Sequence, residues 1–128
     1  MVTEITHGVK ISVDTNFLPD HSSPGQHHYV FSYRIRIENK SDYTVKLLTR
    51  SWLIYDSTGQ VLSVEGEGVV GQQPTLKPGE THEYISGCNL KTGLGKMNGI
   101  YSFTRLIDDT LFDVTIPEFN LVVPYKLN

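Results

Sequence analysis

A chain of 128 residues with 38% hydrophobic and 20% charged side chains makes about one domain, and such a domain buries roughly two thirds of its unfolded surface around a single core. A net charge of −3 gives no footprint for nucleic acid, and no apolar run approaches the ~18 residues of a membrane span. Met1-Val2-Thr3-Glu4 lacks the basic and apolar regions of a secretory signal, and the single cysteine, Cys88, has no internal disulfide partner, so the expectation is one cytoplasmic domain over 1–128.

Val9, Ile11 and Val13 alternate with Lys10, Ser12 and Asp14, which predicts a half-buried first strand. Pro19 to Gln26, with two prolines and a glycine, reads as an exposed loop. Tyr29, Phe31, Tyr33, Ile35 and Ile37 then alternate with a polar face carrying Arg34, Arg36 and Glu38. This is the clearest strand, with one wet side. Asn39 to Asp42 predicts a turn and a hairpin to the next strand.

That next strand, Thr44 to Tyr55, changes parity. Val45 and Leu47 fit one face, and Leu48, Trp52 and Ile54 the other. A bulge near Leu47–Thr49 reconciles them and gives Lys46 and Arg50 an outlet to water. Asp56 to Gly59 is a turn. Val61, Leu62 and Val64 begin a short strand that enters a glycine-rich stretch. Pro78-Gly79 marks another turn. Thr81 to Cys88 is a strand with Tyr84 inward, Asn89 to Asn98 a long loop, and Gly99 to Arg105 a strand. Leu111 to Ile116 and Phe119 to Val123 are the last two strands, split by Pro117. About eight short strands and no sustained helical period predict an all-β, two-sheet antiparallel sandwich, with a small closed barrel as the rival.

Gly66-Glu67-Gly68-Val69-Val70-Gly71 matches the spacing of a dinucleotide-binding loop. That loop needs a following helix whose N-terminus meets the pyrophosphate. Pro74 and Pro78 forbid the helix, and Glu65 and Glu67 repel phosphate. A backbone anion nest is the weaker form that survives. The simpler reading is that the glycines permit a bulge or tight crossing.

Glu65 and Glu67 share a face if extended, which would suit a hard cation such as Mg²⁺; a plain solvent face is the simpler account. Arg50 and Trp52 also share a face. They could stack, or Arg50 packs its stem and reaches for water. His7, His21, His27 and His28 carry no ligand spacing and read as solvated. Cys88 reads as a small core residue, and no nucleophile motif is present.

The chain also resembles the ApaG family. The resemblance rests on Tyr29-Val30-Phe31-Ser32-Tyr33, on Leu47-Leu48-Thr49-Arg50-Ser51-Trp52, and on Val64 through Gly71 followed by Gln72-Gln73-Pro74. Pro78-Gly79-Glu80, Tyr84-Ile85-Ser86-Gly87, Gly95 to Tyr101 and Ile116-Pro117-Glu118-Phe119 extend it over nearly the whole chain. Ile107-Asp108-Asp109-Thr110 lacks the glycine that often turns that hairpin.

The resemblance implies a fibronectin type III-like or immunoglobulin-like sandwich. It implies a bacterial protein linked to cobalt resistance and magnesium efflux. The family name reflects gene neighbourhood with a diadenosine tetraphosphate hydrolase. Similar domains in F-box proteins and in a DNA-polymerase-delta-interacting protein look like protein-interaction modules. The expectation is therefore a non-enzymatic module with a protein partner and no resident cofactor. Its candidate partner or ligand loop is Glu65, Gly66, Glu67, Gly68, Val69, Val70, Gly71, Gln73 and Pro74, adjoined by Arg50 and Trp52. A sensor that binds Mg²⁺ or Co²⁺ through Glu65 and Glu67, or phosphate through the loop, is the alternative; a nucleotide hydrolase is the third reading.

Overall fold

β-branched and aromatic side chains at every second position set the strands, and two sheets meet where those positions face each other. The computed structural model describes residues 1–124. Nine strands follow in order: β1 (Val2–Thr6), β2 (Val9–Phe17), β3 (Tyr29–Asn39), β4 (Val45–Asp56), β5 (Val61–Glu67), β6 (Thr75–Leu76), β7 (Thr81–Leu90), β8 (Leu94–Arg105) and β9 (Thr110–Val122). Single 3-10 turns at Pro19–His21 and Pro24–Gln26 interrupt the β2–β3 loop. One sheet runs β1-β2-β3-β7; the other runs β5-β4-β8-β9, with the short β6 also on β4. Every named pairing is antiparallel. The expected two-sheet sandwich is present.

The expected parity of β3 holds: Phe31, Tyr33, Ile35 and Ile37 are buried, while Arg34 and Arg36 are exposed. They meet Trp52 of β4, Tyr101 and Phe103 of β8, and Val114, Ile116, Phe119 and Leu121 of β9 in one core. Trp52 is its hub, with edge-on rings of Tyr33 at 5.5 Å, Phe119 at 5.8 Å and Tyr101 at 6.3 Å. Tyr84 points inward as expected, its hydroxyl hydrogen-bonded to that of Tyr101.

Several expectations need correction. Among the described residues there are nine strands rather than eight: β1 before Val9 and the short β6 are additional, while the two expected at the end are one. Glu4 and Thr6 hid β1, since it is exposed along most of its length. No hairpin follows β3: the chain crosses to the other sheet at Asn39–Thr44. Buried Asn39 pins that crossover. Its Nδ2 donates to the carbonyls of Tyr43 and Leu76, at 2.7 and 2.9 Å, and its Oδ1 accepts from the Ser41 N–H and hydroxyl. The supposed loop at 89–98 is mostly strand, leaving only Lys91 to Gly93 between β7 and β8. The last two strands are one. Pro117 sits where Met97 pairs with Phe119 but Gly99 pairs with Ile116, a bulge that tolerates a residue without an N–H. At the β8–β9 turn, Asp109 takes the left-handed position at φ +55° without a glycine.

Candidate functional site

The site grows from the irregularity in β4. The predicted bulge is there: the register against β8 shifts between Leu47 and Thr49. Two strands share the free side of β4. β6 pairs with Val45 and Lys46, and β5 pairs with Thr49 through Tyr55. Residues 68–74 span from one to the other, over the bulge. The Leu48 carbonyl accepts both the Gly68 N–H at 2.9 Å and Gln73 Nε2 at 2.8 Å, and Leu47 N–H donates to the Pro74 carbonyl at 3.0 Å. A bulge frees backbone groups from the ladder; here the glycine-rich stretch takes them up.

Val69 and Gln72 close a two-residue hairpin, with N–H···O distances of 2.7 and 3.0 Å in the two directions. Its tip is Val70 at φ +46° and Gly71 at φ +76°, the signs of a type I′ turn. Gly68 is required twice over. It stands at φ +64°, and an added Cβ would overlap the Gln72 carbonyl oxygen. Gly71 meets open space, so only its φ demands glycine. Val70 has no such excuse. A β-branched residue at positive φ is strained, and this one is 62% exposed, while neighbouring Val69 is 1% exposed and anchors the hairpin in the core.

Arg50 lies on the inner face beside Trp52 but does not stack on it. Its Nη1 donates to the carbonyls of Glu67 and Gly68, both at 2.9 Å. A Cβ on Gly66 would come within 2.8 Å of the guanidinium, so that glycine makes room for the arginine. The cation–ring contacts of the described residues are elsewhere, Lys96 over Tyr55 and Arg105 over Tyr43. Arg50 therefore neither stacks on the indole nor simply reaches water: it clamps the loop backbone.

The Tyr33, Tyr84 and Tyr101 hydroxyls share this region. Burial raises all three phenols above their ordinary range, opposed in part by the Arg50 charge. They stay neutral donors. Burial also pushes the Cys88 thiol up to about 11. Arg50 belongs to none of the ion pairs among the described residues.

Glu65 and Glu67 are both exposed and, opposite Ser51 and Thr49, share the outer face of β5. No group of three or more His, Cys, Asp or Glu able to hold a metal ion occurs among the described residues. The loop's N–H groups at Gly68, Val69 and Gln72 are engaged within the bulge and the hairpin, so the glycines serve the turn and the crossing first. The spatial picture joins Gly66, Glu67 and Gly68 to Arg50 and ties Gln73 and Pro74 to the β4 bulge. It sends Trp52 to the core.

A second feature was not foreseen. Cross-strand partners share a face, so Leu62 opposite Ile54 and Val64 opposite Trp52 point inward. Trp52 is 3% exposed, yet Val64 is 40% and Leu62 46% exposed. β5 is the end strand of its sheet, and its inner surface is only partly covered. The signal was the run Val61-Leu62-Ser63-Val64, apolar at both parities.

A model of the ApaG domain matches residues 19–105. The chain belongs to the ApaG domain family. Relatives agree over full length: Protein ApaG of Anaeromyxobacter dehalogenans is 46% identical over 128 residues, covering 100% of both chains. Protein ApaG of Paramagnetospirillum magneticum is 44% identical, covering 98% of this chain and 96% of its own. A Bordetella pertussis crystal structure assigned to ApaA superposes with a TM-score of 0.88 at 43% identity, over 91% of this chain and 94% of that one. A further X-ray structure at 33% identity gives a TM-score of 0.89 over 98% and 94%. This ApaG fold therefore has solved counterparts of nearly the same length. No helix of the described residues is long and apolar enough to cross a membrane.

Proposed function

We propose that this chain is a non-enzymatic, cytoplasmic protein-interaction module, and that its partner docks on the flank formed by β5 and the 64–74 segment. The carrying observation is Val64, 40% exposed on the inner face beside a Trp52 that is 3% exposed. A sandwich normally covers its inner faces; a partly uncovered inner strand with a free edge suits a partner's backbone and apolar side chains. Any effect on cobalt or magnesium handling then passes through the partner.

The test is a pull-down from the native host with the tagged chain and with a Leu62→Glu, Val64→Glu double variant of unchanged melting temperature. A partner held by the first and lost by the second is expected. Failure of the wild-type chain to retain any protein above background sinks the reading.

One observation favours a second reading. Glu65 and Glu67 alternate on one exposed side without an ion-pair partner among the described residues. A Mg²⁺ or Co²⁺ sensor would use them. Saturation at about 100 times Kd adds ~2.7 kcal/mol, which raises Tm by roughly 8–15 °C for a domain of this size. A shift of that kind, lost in Glu65→Gln, Glu67→Gln, would replace the first reading.

A further inference from the structure

We infer that the occupant of the β5 flank is an extended segment of a partner protein whose residues alternate apolar and basic. This rests on the interaction-module reading and adds the partner's chemistry to it.

β5 pairs with β4 on one side and is terminal in its sheet. A terminal strand offers unpaired N–H and C=O groups along its free edge. A strand laid against that edge must obey the pleat of β5: its alternate residues fall on the inner and outer faces in step with those of β5. On the inner face it meets Leu62 and Val64, 46% and 40% exposed, with the half-buried Arg50 behind Gly66 and, at the Leu62 end, a small cavity shared with Ile54, Leu90, Asn89 and Lys91. The segment's inward residues must be apolar. On the outer face it meets Ser63, Glu65 and Glu67. Those two carboxylates are in no ion pair among the described residues. Opposite charges across a ladder are favourable and like charges unfavourable, so the segment's outward residues are lysine or arginine. Cys88 and Leu90 of β7, 7% and 4% exposed, are already covered, so the apolar side chains collect against β5 rather than β7.

The same charges argue against a second copy of this chain. Antiparallel pairing of two β5 strands by a two-fold axis through the sheet keeps both outer faces on one side. Four carboxylates would then line that face with no cation between them. Val70, 62% exposed at the tip of the hairpin that follows β5, adds one more apolar side chain to this flank.

The probes are two acetylated octapeptides, one of alternating lysine and valine, the other with glutamate for lysine. Amide exchange and ¹⁵N spectra of the full chain are the readouts. The lysine peptide is expected to slow exchange along the free edge of β5 and to bind at least tenfold more tightly than the glutamate peptide at low salt. Glu65→Gln, Glu67→Gln should weaken it about fivefold, and Val64→Thr should weaken both peptides alike. Equal binding of the two peptides, protection on β7 instead of β5, or absence of binding overturns the inference. So does a concentration-dependent dimer that Val64→Thr dissolves, because the flank's occupant is then another copy. A host partner that the lysine peptide does not displace, yet which Leu62→Glu, Val64→Glu still loses, overturns the partner's chemistry while leaving the interaction module standing.

Discussion

The two flanks of the sandwich are built from the same chemistry and finished differently. On one, β1 and β2 lie against β9. The Thr115 N–H donates to Thr6 Oγ1 at 3.3 Å, and Thr15 Oγ1 donates to the Asn120 carbonyl. The inward residues Val114 and Leu121 are 0% exposed. On the other flank, β5 has no strand beyond it among the described residues, and its inward Leu62 and Val64 stay partly wet. A short additional strand is enough to seal a sandwich edge. Where none is present, the apolar face is available to another chain.

The sharpest test of this contrast is paired truncation. Leu121→Ala should cost about 3 kcal/mol, as for a fully enclosed leucine. Leu62→Ala should cost under about 1 kcal/mol, because half its surface is already hydrated. Urea denaturation of both variants measures the difference. Equal costs would mean that the β5 flank is closed in solution, and would remove the basis for a docking surface.

The next effect lies between the flanks, at the tyrosines beside Arg50. Tyr84→Phe leaves the fully buried Tyr101 hydroxyl without its partner, at a cost of about 1–3 kcal/mol. The pH dependence follows from the same burial. The folded-state values of Tyr33, Tyr84, Tyr101 and Cys88 are raised. Each group is neutral in both states at pH 8, and above its unfolded value the unfolded chain sheds protons first. Stability is thus full below about pH 9 and falls as pH rises, from about 9 to 11 for the thiol and from about 10 upward for the phenols. Cys88→Ser should remove the earlier part of that decline, and an unchanged alkaline profile in that variant would contradict a buried protonated thiol.

These contrasts also show what the sequence made legible. Period-two alternation announced β3 at once, because Arg34 and Arg36 face water opposite Phe31 and Ile35. The parity change around Leu47–Thr49 located the bulge for the same reason. Alternation reports burial within a strand, however, and says nothing of which sheet the strand joins. The crossover after β3 therefore looked like a hairpin until Asn39 was seen to bridge Tyr43 and Leu76. Pro117 read as a strand end, since local sequence does not reveal that Asn98 faces a bulge there. At the candidate site the glycines gave the loop's position. They did not reveal that Arg50 holds it, because that contact is made between strands.

A smaller effect separates strain from contact at the hairpin tip. Val70→Asn suits the left-handed φ that valine tolerates poorly, so it should stabilise the free chain by about 1 kcal/mol while reducing the lysine peptide's affinity. Guanidinium denaturation and the peptide titration read the two independently. Gly68→Ala should move stability the opposite way, by about 1–3 kcal/mol, because it meets both a positive φ and the Gln72 carbonyl.

The smallest predicted effect carries the most about the open flank. Glu65→Gln, Glu67→Gln should change stability by less than about 0.5 kcal/mol, as for surface positions without partners. Its sign should be stabilising at low ionic strength, since two like charges on one face of a strand repel. About 0.5 M salt should erase the gain, the Debye length having fallen to roughly 4 Å. A loss of stability instead would mean that the glutamates already have a cationic neighbour in the free chain, and the outer face of β5 would then have no charge left to offer a basic partner.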